Sequence, residues 1–221
     1  MLKWRIKGFT LIELLVVLVI TGILLSSLIS AYLSIAQKDR AAMDTMRLDR
    51  SLHATMSLMA SDISRAGFWA NASSGVKTGT NNNPFMTNSV TINSTNDCIL
   101  LTYDRDGDGS LPSTGTGNDD ERYGFRLMND AIQGRPSGAT FDCTASASAW
   151  ENITDPDTIR ITQLNFSQAN NAVDIDGVAT GTATIAVRTI TITITGQLVS
   201  NPSVSKTLTD TVKIRNNKYA P

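Results

Sequence analysis

Residues 14–37 contain no Lys, Arg, Asp or Glu, and most of them are Leu, Ile or Val. A helix over this run rises about 36 Å against a hydrocarbon core of roughly 30 Å, so the pattern predicts one membrane-spanning helix. The run is also longer than the about 7 to 15 apolar residues of an ordinary secretory signal. Past Gln37 the pattern becomes amphipathic. Leu48, Leu52, Met56, Met59, Ile63 and Ala66 recur at steps of three and four, while Lys38, Asp39, Arg40, Asp44, Arg47, Asp49, Arg50 and Asp62 supply charge. The two patterns join into one long helix, expected to stop near Gly67 after Arg65 in its last turn. No Pro lies between residues 9 and 66, and Gly22 is the weak point.

Residues 70–96 are rich in Asn, Ser, Thr and Gly and predict a connecting loop with a short strand at 90–93. Strands are then expected at 98–103, 122–128, 158–166, 183–195 and 206–215. The clearest signal is Thr189-Ile190-Thr191-Ile192-Thr193-Ile194-Thr195, whose alternation puts isoleucines on one face and threonines on the other. Leu208, Val212 and Ile214 repeat it, and residues 196–203, with Asn201-Pro202, form the expected hairpin turn. One sheet face meets the helix and the other water. A long helix followed by an antiparallel sheet is an α+β plan.

Charge narrows the partners. The 19 Lys+Arg and 20 Asp+Glu leave a net charge of -1, and no cluster of five basic residues occurs; no nucleic-acid partner is expected. A single His and two Cys are too few for a His/Cys zinc site. His53, the only candidate for a catalytic triad, has no nucleophile motif beside it and reads as a packed or surface histidine. No enzyme is expected and no cofactor is essential. Lys3, Arg5 and Lys7 precede the apolar run, which by the positive-inside rule holds the N-terminus in the cytoplasm and sends the chain after Gln37 across the membrane.

Glu13 stands inside this otherwise apolar beginning. An ionised carboxylate there costs a few kcal/mol and calls for a partner, or lies close enough to the interface to snorkel. Gly8-Phe9-Thr10-Leu11-Ile12-Glu13, after the short basic leader, resembles the type III signal of type IV pilins and type II secretion pseudopilins. The resemblance implies cleavage by prepilin peptidase between Gly8 and Phe9, followed by N-methylation of Phe9. It implies that Glu13, fifth in the mature chain, meets the terminal amine of a neighbouring subunit during assembly, where opposite charges in a low-dielectric bundle stabilise each other. Loss of the leader leaves 16 Lys+Arg against 20 acidic side chains.

The organisation expected is a leader at 1–8, a transmembrane and assembly helix at 9–37, an amphipathic helix at 38–67 and a β-rich periplasmic or extracellular domain at 68–221. A pilin-like α+β fold is implied. Leu58-Met59-Ala60-Ser61-Asp62-Ile63-Ser64-Arg65-Ala66-Gly67-Phe68 resembles the helix end of PilW-like minor pilins and, more loosely, J-type pseudopilins. The acidic loop at 104–109 and the closing Val212-Lys213-Ile214-Arg215-Asn216 are also PilW-like. The expected function is that of a non-catalytic minor pilin, for initiation or the tip of a type IV pilus. Its partners would be other pilins through the N-terminal helix, prepilin peptidase and the inner membrane. A J-like pseudopilin, a major filament subunit and a non-polymerising membrane-anchored calcium- or ligand-binding domain are the alternatives.

Two features of the exported part carry chemistry. Asp104-Arg105-Asp106-Gly107-Asp108-Gly109 matches the first half of an EF-hand loop, where carboxylate oxygens converge on calcium. The twelfth position is Gly115 rather than Glu, so a further ligand would come from Asp119, Asp120 or Glu121; a solvated acidic turn is the other reading. Cys98 and Cys143 are expected to close a disulfide in an oxidising compartment, two buried free thiols being the alternative.

Overall fold

The computed structural model describes residues 8, 10–73, 83–112, 121–135, 141–144, 146, 150–174 and 184–220. The chain divides into two compact units, Met1–Met46 and Arg47–Pro221. One helix, α1 (Leu11–Arg65), contributes to both and continues through Gly22 without a break.

In the first unit, every residue from 11 to 35 is exposed. The apolar surface goes all round the helix, with Leu11, Ile23 and Tyr32 at 83%, 63% and 71% exposure. Helices that are apolar on every side are stable when lipid or other helices surround them, and this one is long and apolar enough to cross a membrane.

In the second unit α1 has one buried stripe, made by Leu48, Leu52, Thr55, Met56, Met59 and Ile63. These are the positions of the three-and-four spacing, with Thr55 added; its hydroxyl bonds back to the Ser51 carbonyl at 3.0 Å. Gly67 then takes a left-handed φ of +75°, which only glycine adopts cheaply. The Gly67 N–H leaves the helix and donates to the Thr102 carbonyl at 2.8 Å.

Two antiparallel sheets complete this unit. The first has the order β1 (Val90–Ile92), β2 (Cys98–Thr102), β3 (Arg122–Met128), β4 (Ala131–Gly134), β5 (Glu151–Asn152). The second has β6 (Ile159–Asp174), β7 (Thr184–Leu198) and β8 (Ser205–Lys213) in order, and β9 (Lys218–Ala220) also pairs with β7. One core joins the helix stripe to Ile99, Leu101, Phe125 and Ile132 of the first sheet and to Ile161, Leu164, Phe166, Ile190, Ile192 and Ile194 of the second. The isoleucines of the alternating run therefore face inward. Thr191, Thr193 and Thr195 face out and pair hydroxyl to hydroxyl with Thr211, Thr209 and Thr207 at 3.1, 3.3 and 2.9 Å.

The α+β class stands, with two sheets in place of one. β4 arises because Asn129 and Asp130, at φ +53° and +61°, make a two-residue turn that the polar composition concealed. β6 continues to Asp174 through residues that are exposed from 167 onward, so no burial pattern marks them. Gly196 lies within β7, not in a turn: a Cβ there would stand 3.0 Å from Leu52 Cδ2, so glycine lets the strand approach α1. The turn falls later, where Val204 N–H donates to the Asn201 carbonyl at 2.9 Å. The strand expected to reach Arg215 ends at Lys213, and Arg215 N–H donates instead to the Ser64 carbonyl of α1 at 3.0 Å. Ala183, the expected start of β7, lies outside the described residues.

Candidate functional site

At the N-terminal signal, Gly8 is exposed and Phe9 lies outside the described residues. Thr10 and Glu13 form a reciprocal pair. Thr10 N–H and Oγ1–H donate to Glu13 Oε2 at 2.9 and 2.8 Å, and Glu13 N–H donates to Thr10 Oγ1 at 3.3 Å. This is a capping box, in which residues three apart satisfy donors that the first helical turn leaves open. The Thr-x-x-Glu spacing is the sequence signal of this box. It gives the Glu13 carboxylate a partner within its own helix.

The acidic loop is built by strand register. Thr102 of β2 pairs with Arg122 of β3, so the residues just beyond, Tyr103 and Glu121, oppose each other, with Tyr103 N–H donating to the Glu121 carbonyl at 3.2 Å. One carboxylate oxygen from each of Asp104, Asp106, Asp108 and Glu121 lies within 4.8 Å of the others. Asp106 and Asp108 are exposed, whereas Asp104 and Glu121 are 2% and 1% exposed. Asp119, Asp120 and Gly115 lie outside the described residues.

The four carboxylates differ in what they already accept. Asp104 takes Gly107 N–H on Oδ1 at 2.7 Å and Ala70 N–H on Oδ2 at 2.9 Å. Asp106 takes Asp108 N–H at 3.0 Å, and Asp108 takes Ser110 N–H at 2.7 Å. Both Glu121 oxygens are buried with no hydrogen-bond partner. Burial first, then the Asp106 charge, with smaller contributions from Asp104 and Asp108, pushes the Glu121 pKa up to about 7; the Arg105 backbone N–H opposes this in part.

The same loop is fastened to the chain that follows α1. Asp104 N–H donates to the Phe68 carbonyl at 3.0 Å, and Trp69 Nε1–H donates to the Gly109 carbonyl at 3.0 Å. Tyr103, stacked on Tyr123 with centroids 4.3 Å apart, donates a hydrogen bond from its hydroxyl to Asp62 Oδ1 of the helix at 3.3 Å.

Cys98 and Cys143 are joined in a disulfide with Cα atoms 6.1 Å apart. Beside it, Arg126 donates to the Cys143 carbonyl at 2.7 Å and lies 4.5 Å from the Trp150 ring centroid. His53 is exposed on α1 with Nε2 3.6 Å from Asp49 Oδ1, which also accepts from Lys206. That is a surface ion-pair arrangement.

Comparison with curated proteins and with solved structures gave no match. Two protein families do match. The prokaryotic N-terminal methylation motif covers residues 5–29, taking in Gly8, Phe9 and Glu13. Prepilin peptidase-dependent protein B covers residues 41–214, well over half of the 221 residues. The second match spans every strand from β1 to β8 and the buried part of the helix, so the chain is a type IV pilin-like protein with a prepilin signal, and it belongs to the prepilin peptidase-dependent protein B family.

Proposed function

We propose that this protein is a minor pilin, a non-catalytic subunit that enters a type IV pilus at its initiation complex or tip. Prepilin peptidase would cut between Gly8 and Phe9 and methylate Phe9. The protein would wait in the inner membrane with its β-rich part in the periplasm, then leave the bilayer for a bundle of similar helices. The observation that carries this reading is the fully exposed apolar surface of residues 11–35 directly after a processing signal. Lipid satisfies such a surface before assembly, and neighbouring helices satisfy it afterwards. The PilW-like assignment rests on the acidic loop at 104–109, the closing residues 212–216 and Leu58 to Phe68, which supplies the last two members of the buried stripe, Met59 and Ile63, and the left-handed stop at Gly67.

The test is intact-mass and N-terminal analysis of protein made with and without prepilin peptidase, in wild type and Gly8→Ala. A start at methylated Phe9 that needs both the peptidase and Gly8, together with protein recovered in sheared pili, is the expected result. An uncut Met1 terminus in every sample would leave a simple membrane anchor. Correct processing, with the protein recovered in a secretion pseudopilus and never in pili, would make it a pseudopilin.

A further inference from the structure

We propose that Asp104, Asp106, Asp108 and Glu121 form a calcium site that fastens the β2–β3 loop to the chain segment following α1. An acidic turn alone accounts for Asp106 and Asp108, which are exposed and accept backbone N–H groups from residues two positions on. It does not account for Glu121. That side chain is 1% exposed, both its oxygens lack a hydrogen-bond partner, and one of them lies within 4.8 Å of an oxygen from each aspartate. Burying a carboxylate without donors is expensive, and burying it against three more adds repulsion. A divalent cation at their centre removes both costs.

The ligands select the ion. Four carboxylates are hard oxygen donors, suited to calcium or magnesium. Calcium accepts oxygens at about 2.3 to 2.6 Å, so ligands on opposite sides lie about 5 Å apart, and a set within 4.8 Å fits inside that sphere. Magnesium demands a tighter octahedron, which a loop with two buried and two exposed arms is poorly placed to close. Glu121 stands immediately before β3 and Asp104 just past the end of β2. Asp104 also accepts from Ala70 N–H, and Trp69 donates to the Gly109 carbonyl. An ion held by the four carboxylates therefore couples both strands to residues 68–70.

The test uses the full chain in detergent, stripped with a chelator, then titrated with calcium chloride or magnesium chloride by calorimetry and followed by thermal unfolding. Calcium is expected to release or absorb heat at one site, to raise Tm, and to do so more strongly than magnesium. Asp106→Asn, at an exposed position that does not threaten folding, should weaken calcium binding by about tenfold or more, and Asp210→Asn, elsewhere on the surface, should leave it unchanged. Glu121→Gln should raise the metal-free Tm while losing the calcium response. Absence of heat and of a Tm shift up to about 10 mM calcium, the weak end of extracellular sites, would overturn the proposal. So would a wild-type response from Asp106→Asn, and an equal response to magnesium would overturn the choice of calcium.

Discussion

Asp62 sits on α1 with its carboxylate half-covered, receiving the Tyr103 hydroxyl at 3.3 Å. Burial raises its pKa above 3.8, and the Tyr103 hydrogen bond and the charges of Arg65 and Arg105 only partly oppose that rise. The folded protein thus holds this proton more tightly than the unfolded chain does. The ionised group weakens the fold at every pH above the folded pKa, and the penalty disappears as pH falls to the unfolded value. Asp62→Asn should therefore stabilise the protein at neutral pH and lose that advantage at about pH 3, measured by urea unfolding of both proteins at the two values. An equal offset at both would assign the effect to packing. Single residues also explain what was hard to read at the carboxylate cluster. Asp104, Asp106 and Asp108 stand out as a motif, but placing Glu121 beside them required the Thr102↔Arg122 register, which alternation within either strand does not encode. Thr10 was legible and needed only the capping-box spacing.

At the scale of elements, legibility followed burial. The helix stripe and the Thr/Ile alternation of β7 predict their own positions because one face is wet and one is dry. β4 hid behind Asn129-Asp130, and the outer half of β6 hid because Ser167 to Asp174 is exposed on both faces and carries no apolar alternation. That outer half pairs with residues 184–191 of β7 and is exposed throughout, so it has ladder hydrogen bonds with little core beneath them. Its amides should exchange faster than those of Ile161, Leu164 and Phe166 on the same strand, as measured by hydrogen–deuterium exchange resolved along β6. Uniform protection would mean that the whole strand opens only with the core. The Cys98–Cys143 link ties β2 to a segment 45 positions away in the chain. Replacing both cysteines with alanine should cost about 2 to 4 kcal/mol in chemical unfolding. A cost near zero would show that the link constrains little of the unfolded chain.

For the whole molecule the question is what Glu13 does besides cap its helix. As a capping residue it needs Thr10, and the distances of 2.8 and 2.9 Å show the carboxylate engaged there. In an assembly role it would also meet the amine of another subunit, a stronger attraction in a low-dielectric bundle than a neutral hydroxyl provides. The two roles separate by mutation. Thr10→Ala removes the hydroxyl that bonds Glu13 and keeps the charge; Glu13→Gln keeps a capping side chain and removes the charge. If capping alone matters, Thr10→Ala costs the helix about 0.5 to 2 kcal/mol, Glu13→Gln less, and neither changes recovery in filaments while both are processed. If the carboxylate meets an amine, Glu13→Gln is cleaved at Gly8 and stays in the membrane, absent from sheared pili, whereas Thr10→Ala assembles near the wild-type level. Quantifying each variant in membrane and filament fractions distinguishes these outcomes. Exclusion of Thr10→Ala as severe as that of Glu13→Gln would count against the charge and point to the first helical turn as the element that assembly requires.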